Sequence, residues 1–206
     1  MISLITFATS ALALLRLVHV SVAEDVRNVI WNLPINPADD NSATVTITGT
    51  IEQAVAKMEN DYPGWNETFM AQDPISSPAG DKTDIPIKHD CNVHGDGDAK
   101  RTQIGIGVMY LSRLSGTAVN GPGPENCGRV SCSWNSAIIW CNNNNFYKEL
   151  QWTQIAGAAY KRKSITPLKD SGRICADKTF VEGDMTVEGH ADFDDGWYVV
   201  VRGDWC

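Results

Sequence analysis

Six cysteines constrain the fold of this chain more than any other feature of its sequence. They are Cys91, Cys127, Cys132, Cys141, Cys175 and Cys206. An even number of cysteines in a chain of this size predicts three disulfides that tie a small sheet to its loops. Six cysteines allow fifteen pairings, and the sequence does not choose among them. A turn at Asn135-Ser136 would bring Cys132 and Cys141 to face each other across a hairpin, because they lie at similar distances on either side of it.

The first 23 residues predict a signal peptide. The segment from Ile2 to Val22 is mainly apolar and is interrupted by Arg16, and the leader ends in Ser21-Val22-Ala23. Small residues in this arrangement are typical of a signal-peptidase site, so cleavage is expected after Ala23. The uninterrupted apolar run is shorter than the roughly 20 residues that span a bilayer. We therefore expect a secreted, extracellular protein that has no membrane segment after cleavage.

The charge balance argues against nucleic acid as a partner. The chain has 17 basic and 25 acidic residues, a formal net charge of −8, and loss of residues 1–23 removes only the basic Arg16. Binding to phosphates needs a basic patch that releases counterions. The one compact basic cluster, at residues 161–163, falls where a helix is expected to end and would complement its dipole.

A loop rich in proline divides the chain. Between Asp73 and Lys88, three prolines and a glycine rule out a continuous helix or a central strand. We expect a signal peptide at residues 1–23, an extension with a strand, a helix and this loop at 24–88, and a cysteine-rich α+β domain at 89–206.

In the extension, a strand is followed by a helix. Residues 44–51 alternate threonine with apolar residues, which is typical of a half-buried strand. Thr50 and Gln53 have the spacing of a capping box, and the helical pattern that follows ends at Pro63-Gly64. The sequon Asn66-Glu67-Thr68 predicts N-glycosylation at Asn66 in a surface loop, so the secreted form would be a glycoprotein.

The cysteine-rich part predicts two helices and a hairpin. The first helix is expected to be capped by Asp98 and to stop at Gly116, and Gly105 and Gly107 indicate close packing of another backbone. Apolar runs at 129–134 and 137–141 predict a buried hairpin. A second helix is expected near 150–159 and two or three strands between 179 and 205. The predicted fold is α+β, a small antiparallel sheet with two or three helices on one face, linked by disulfides.

Four segments carry a family resemblance. They are a helix ending near 110–111, the turn NGPGP at 120–124, the stretch CGRVSCSWNSAIIWCN at 127–142 and the close WYVVVR at 197–202 before Cys206. Together they resemble small cysteine-rich proteins secreted by filamentous fungi, many of which are candidate effectors with a role in virulence. A looser similarity reaches Ecp-type necrosis-inducing effectors and killer-toxin-like folds. The resemblance implies contact with a host or a competitor, and it brings no catalytic residues.

The segment from His89 to Asp98 contains histidines and carboxylates within ten residues, a composition that could bind a divalent cation. Imidazole suits zinc or copper, and carboxylates suit calcium. The segment matches neither a calcium loop nor a zinc helix, and the cysteine spacings lack zinc knuckles. A polar loop is the alternative reading, and we expect no metal and no cofactor.

Two enzyme chemistries were weighed. Acidic residues near the end of the chain could supply the carboxylate pair of a glycosidase, or could simply be turn residues. This acidic group consists of Glu182, Asp184, Glu188, Asp192, Asp194 and Asp195. A ribonuclease could recruit His190 and Glu188 as acid and base with Arg202 as the phosphate-stabilising group, although no motif joins them. No catalytic residue is assigned.

Seven tryptophans are a large number for this chain. Most are expected in the core, and one or two on a solvent face would form a binding platform, because aromatic faces stack on sugar rings and other apolar planes. The triplet Arg202-Gly203-Asp204 matches an integrin-binding tripeptide by chance and is given no role.

The preferred function is therefore a secreted effector-like protein that is not an enzyme and binds a host protein or a cell-wall glycan. The alternative is a small secreted hydrolase acting on a chitin-like glycan or on RNA. Convergence of His190 with Glu188 or Asp192 in a cleft would favour the hydrolase, and a flat surface with exposed aromatic residues would favour the binding protein.

Overall fold

The computed structural model describes residues 26–39, 41–75, 86–90, 93, 97–160, 175–181 and 184–206. The predicted signal peptide, most of the proline-rich loop and the basic cluster at 161–163 lie outside these residues. No helix among the described residues has the length and apolar character needed to cross a membrane.

Within this part of the chain there are eleven strands and four helices. In chain order they are β1 (Arg27–Pro34), β2 (Thr44–Gly49), α1 (Ile51–Asp61), α2 (Trp65–Met70), β3 (Lys88–Asp90), β4 (Ala99–Lys100), α3 (Arg101–Leu111), β5 (Thr117–Asn120), β6 (Asn126–Ser133), β7 (Ser136–Asn142), β8 (Lys148–Gln151), α4 (Trp152–Tyr160), β9 (Cys175–Val181), β10 (Asp184–Asp192) and β11 (Trp197–Gly203). The α+β class is confirmed.

The main sheet is larger than predicted and is mixed. Nine strands belong to it, in the order β2-β1-β6-β7-β11-β10-β3, and β4 and β9 also pair with β10. The pair β1–β6 is parallel and the other pairs are antiparallel. Strands β5 and β8 form a separate two-stranded sheet. The sequence analysis missed β1, which joins the N-terminal hairpin to the cysteine-containing strand β6.

The predicted start of the first helix is confirmed. The Thr50 side chain accepts a hydrogen bond from the backbone N–H of Gln53, whose own side chain accepts one from the Thr50 backbone. This capping box satisfies backbone donors that would otherwise have no partner within the helix. Ile51, Val55 and Met58 are then buried along one face of α1.

The predicted cap of α3, the first helix of the cysteine-rich part, is wrong. The residue that precedes α3 is Lys100, in the short strand β4, and Asp98 instead accepts a hydrogen bond from the Thr186 hydroxyl. The pairing of β4 with β10 fixes this backbone as extended up to Lys100. A close neighbour is confirmed at Gly107, but it is the side chain of Ser131 and not another backbone: a Cβ atom there would lie 2.1 Å from the Ser131 Oγ. At Gly105 nothing lies within 4 Å.

The two faces of the main sheet are covered differently. One face packs against α1, α3 and α4 in a core that includes Trp31, Trp140, Ile138 and Val199. The opposite face holds a smaller cluster without helices, formed by Cys127, Cys132, Ala137, Ile139, Cys141, Tyr198 and Val200. The helices therefore gather on one face of the main sheet, and the disulfides lie on the other.

Two disulfides are present among the described residues, and the predicted facing of Cys132 and Cys141 is wrong. Cys127 bonds to Cys141, and Cys132 bonds to Cys206. The hairpin turn is at Trp134-Asn135, one residue earlier than expected. Farther from the turn, the pairing of β6 with β7 shifts by one residue between Arg129 and Ser131. Cys132 therefore lies opposite Ala137, and Cys127 lies opposite Cys141. Cys91 is outside the described residues, so the third disulfide stays a prediction.

Candidate functional site

The tryptophans fall into two groups that sequence reasoning could not separate. Five are nearly inaccessible to solvent: Trp31, Trp65, Trp140, Trp152 and Trp197. The other two, Trp134 and Trp205, are 74% and 73% exposed. Both lie where β7 begins and β11 ends, and we call this region, with the turn 133–136 and the tail 203–206, the tryptophan end.

Trp134 occupies the first central position of the β6–β7 turn. Its φ is 49° and that of Asn135 is 56°, so both residues are in the left-handed region. Positive φ at both central residues is the pattern of a type I′ turn, which favours Asn or Gly. A bulky side chain in this conformation is strained by about 1–3 kcal/mol, and such strain is found most often at functional sites. The large exposed ring is therefore kept at a position where folding alone favours a small residue.

Trp205 is held close to this turn by the last strand and a disulfide. Cys206 is bonded to Cys132, and the Asp204 N–H donates a hydrogen bond to the Asn135 carbonyl at 3.3 Å. Because consecutive Cα atoms are 3.8 Å apart, these contacts place the Cα atoms of the two tryptophans within roughly 15 Å of each other. The backbones that carry the two exposed rings therefore lie at the same end of the sheet.

An ion pair supports the backbone beneath the two rings. Arg129 on β6 contacts the Asp204 carboxylate at 2.8 Å, and its other terminal nitrogen donates to the Trp205 carbonyl at 3.1 Å. The Trp205 N–H in turn donates to the Asp204 carboxylate at 2.9 Å. Asp204 is only 8% exposed, so this pair is partly protected from solvent. It fixes the main chain of the tail and leaves the indole of Trp205 outside.

Hydrogen bonds also hold the backbone of Trp134, and they link it to β4. The Ser136 hydroxyl donates to the Trp134 carbonyl at 3.2 Å and accepts from the Lys100 N–H at 2.8 Å. The Lys100 ammonium lies 5.9 Å from the centre of the Trp134 ring. A cation over an indole at an exposed site contributes about 0.5–1 kcal/mol. Sequence reasoning missed Lys100 and Arg129, because neither belongs to a local motif with the tryptophans.

A second group of polar residues lies on β10, on the sheet face that has no helices. The His190 Nε2 is 3.2 Å from the Asp192 Oδ1, and its ring stacks on Tyr198 with centroids 4.6 Å apart. Glu188 lies two residues earlier on the same face and is 5% exposed. An imidazole oriented by a carboxylate can transfer protons, so this arrangement has the chemistry of a general acid or base.

Two of the other acidic residues, Asp194 and Asp195, lie apart from this group. Asp194 and Asp195 lie in the turn between β10 and β11, as the turn reading predicted, and Asp195 pairs with Lys148. The side chains of Glu182 and Asp184 are outside the described residues. Among the residues that the structure describes, no group of three histidine, cysteine or acidic side chains could hold a metal ion. His94 lies outside that set, and His89 is described only as backbone in β3.

The triplet Arg202-Gly203-Asp204 is part of the end of β11 and its tail. Gly203 and Asp204 are buried, and Asp204 is paired with Arg129. An integrin-binding triplet must be displayed on an accessible loop, which these contacts prevent.

The sequon lies in a helix and not in the predicted surface loop. Asn66 is the second residue of α2 and is half-buried. Its backbone N–H and that of Gly64 donate to the Glu59 carboxylate at 2.8 and 2.9 Å, which holds the pKa of Glu59 below its ordinary value. The break at Pro63-Gly64 was predicted, but the six residues of α2 are too few for a periodic signal. Glycosylation of Asn66 stays a prediction.

No family model, curated protein or solved structure matches this chain.

Proposed function

We propose that this chain is a secreted, effector-like binding protein without catalytic activity, which contacts a host or cell-wall target through Trp134 and Trp205. The observation that carries the proposal is the contrast between five buried tryptophans and two that are almost three-quarters exposed at one end of the sheet. Solvent-exposed aromatic side chains on fixed backbone are typical anchors of binding sites.

Two further features support an extracellular binding role. The disulfides Cys127–Cys141 and Cys132–Cys206 are typical of proteins that act in an oxidising environment. The backbone of both anchors is fixed by hydrogen bonds, an ion pair and one of these disulfides. Anchors that are ordered before binding lose less conformational entropy when the target is bound.

A small hydrolase is the second candidate, favoured by the His190 group. The 3.2 Å contact with Asp192 would orient the imidazole, and the buried Glu188 supplies a second carboxylate on the same face. RNA or a glycan would be the substrate class. We rank this candidate second because His190 is stacked on Tyr198 in the apolar cluster of that face, a contact that is equally expected of a structural histidine.

One panel separates the two candidates. The oxidised protein, the His190→Ala variant and a Trp134→Ala/Trp205→Ala variant are assayed for turnover of chitin, other wall glycans and RNA, and for retention on host cells and wall material. The binding proposal predicts no turnover, and retention that the tryptophan substitutions abolish but His190→Ala does not. Turnover that is lost in His190→Ala would contradict it and identify a hydrolase.

A further inference from the structure

We infer that the tryptophan end is a subsite for an extended, uncharged polysaccharide, such as a β-linked wall glycan. This inference rests on the proposed binding function and names the class of ligand. It follows from the strain at Trp134, from the polar surroundings of the two rings and from the charges that lie beside them.

The strain at Trp134 points to a role other than folding. Its φ of 49° is at a turn position where Asn or Gly would be unstrained. The ring does not pack into the core to compensate, since it is 74% exposed. A strained residue without a packing role points to a contact outside the folded chain.

The surroundings fit a sugar better than an apolar protein surface. Next to the rings lie polar side chains, with the Ser133 hydroxyl donating to the Gln103 amide oxygen at 2.9 Å and Asn135 exposed in the turn. Sugar rings have apolar C–H faces that stack on indole and hydroxyl edges that take hydrogen bonds from such groups. The exposed aliphatic and methionine side chains are elsewhere, at Ile30, Ile75, Ile87, Met109 and Val119, and none is in the turn or the tail.

The size of the apolar surface points the same way. Two tryptophan side chains cover at most roughly 500 Å². A stable protein interface buries about 800 Å² on each partner and has an apolar centre. Two flat rings without an aliphatic surround are small for such a centre, but each ring is large enough to stack on one sugar unit of a glycan chain.

The charges disfavour both kinds of charged ligand. Lys100 lies over the ring of Trp134, so a cationic ligand would meet a like charge at the aromatic face that should attract it. The Arg129 guanidinium is bound to Asp204 and to the Trp205 carbonyl, and the chain carries a formal net charge of −8, which repels a polyanion. An uncharged ligand meets neither obstacle.

The test measures retention on insoluble chitin, β-1,3-glucan and cellulose at low and high salt. The variants are Trp134→Asn, which suits the left-handed turn, Trp205→Ser and the double substitution. The matched control is Phe146→Ser/Tyr147→Ser, which removes two aromatic side chains that are 58% and 71% exposed in the loop after β7. Melting temperatures are measured for each variant to show that it is folded.

We expect the wild type to bind at least one of these glycans with an affinity that salt changes less than two-fold. Each single substitution should weaken binding at least ten-fold with no loss of melting temperature at Trp134→Asn, and the control should bind as the wild type does. Binding by the double variant at wild-type affinity would overturn the inference. Retention on host cells that needs both tryptophans, with none on any glycan, would overturn the ligand class and leave the proposed function standing.

Discussion

Both ends of the β6–β7 hairpin expose aromatic side chains, but different interactions hold the backbone at each end. At the tryptophan end, Trp134 is in a left-handed turn and the tail is attached by the Cys132–Cys206 disulfide. At the other end, which we call the asparagine end, Phe146 and Tyr147 follow a run of asparagines after β7.

The asparagine end is fixed by side-chain amides. Asn142 is fully buried, and its Nδ2 donates to the carbonyls of Gly121 and Phe146 at 2.8 and 2.7 Å. Its Oδ1 accepts from the backbone and side-chain nitrogens of Asn144, both at 2.9 Å. Every hydrogen-bonding group of this amide is used, which is the best case for a buried polar side chain.

The two ends differ in how their backbone is held. At the asparagine end, side-chain amides satisfy neighbouring backbone groups, and Glu125, whose φ is 57°, donates its N–H to the Asn143 side-chain oxygen. The tryptophan end combines a strained turn with an ion pair and a disulfide that hold it in place. Conflict between local preference and structure is expected where a site is selected for function.

Among the substitutions proposed here, removal of the Cys132–Cys206 disulfide should cause the largest loss of free energy of unfolding. The bond joins residues 74 apart, and the chain-entropy model assigns about 4 kcal/mol to a loop of that length. We expect Cys132→Ser/Cys206→Ser to lose about that much free energy of unfolding in urea and to release Trp205. The control is Cys127→Ser/Cys141→Ser, whose 14-residue separation predicts a smaller loss of about 3 kcal/mol. The reverse order would contradict the comparison.

A third disulfide is predicted between Cys91 and Cys175. The other four cysteines are paired with each other. On β10, His190 lies opposite Asp90, the residue before Cys91, and Glu188 lies opposite Cys175. Peptide mapping under non-reducing conditions should recover a peptide pair that contains both cysteines. A free thiol at either position would show that only two disulfides form.

Loss of the Asn142 amide should cost less, about 2–3 kcal/mol, because it leaves buried backbone groups without partners. The measurement is urea unfolding of Asn142→Ala, with the exposed Asn145→Ala as the control that should stay within about 0.5 kcal/mol of the wild type. Equal losses in the two variants would mean that the amide network does not fix this end.

The smallest effect on stability is expected for Trp134→Asn. The substitution relieves part of the strain of about 1–3 kcal/mol at the turn but loses the contact with Lys100, worth about 0.5–1 kcal/mol, so the two changes oppose each other. We expect the free energy of unfolding to stay the same or to rise by up to about 1 kcal/mol. A loss of more than about 1 kcal/mol would show that Trp134 has a structural role.

Much of the fold could be predicted from local patterns in the sequence. The cap at Thr50, the apolar faces of α1 and α4, the hairpin and two or three strands between residues 179 and 205 are predicted, and the structure has three, of which β9 begins earlier, at Cys175. The pattern of β1 was present, since Val29, Trp31 and Leu33 alternate, but Ile30 and Pro34 obscured it. The helix α2 and the strands β5 and β8 have only four to six residues, too few for a periodic signal.

The candidate site could not be predicted because it depends on register. Trp134 was read as the last residue of a strand, whereas it is the first central residue of the turn. A shift of one residue moves every side chain of a strand to the other face, so exposure and cysteine pairing both changed with it. Contacts from Lys100 and Arg129 come from distant parts of the chain, and no sequence motif links them to the tryptophans.

The most direct test of the account is the affinity of the Trp134→Asn/Trp205→Ser variant for wall material that retains the wild type. The account predicts a variant that unfolds at the same temperature as the wild type or above it and that has lost at least ten-fold in affinity. A folded variant with unchanged affinity would contradict the claim that the tryptophan end is the binding site.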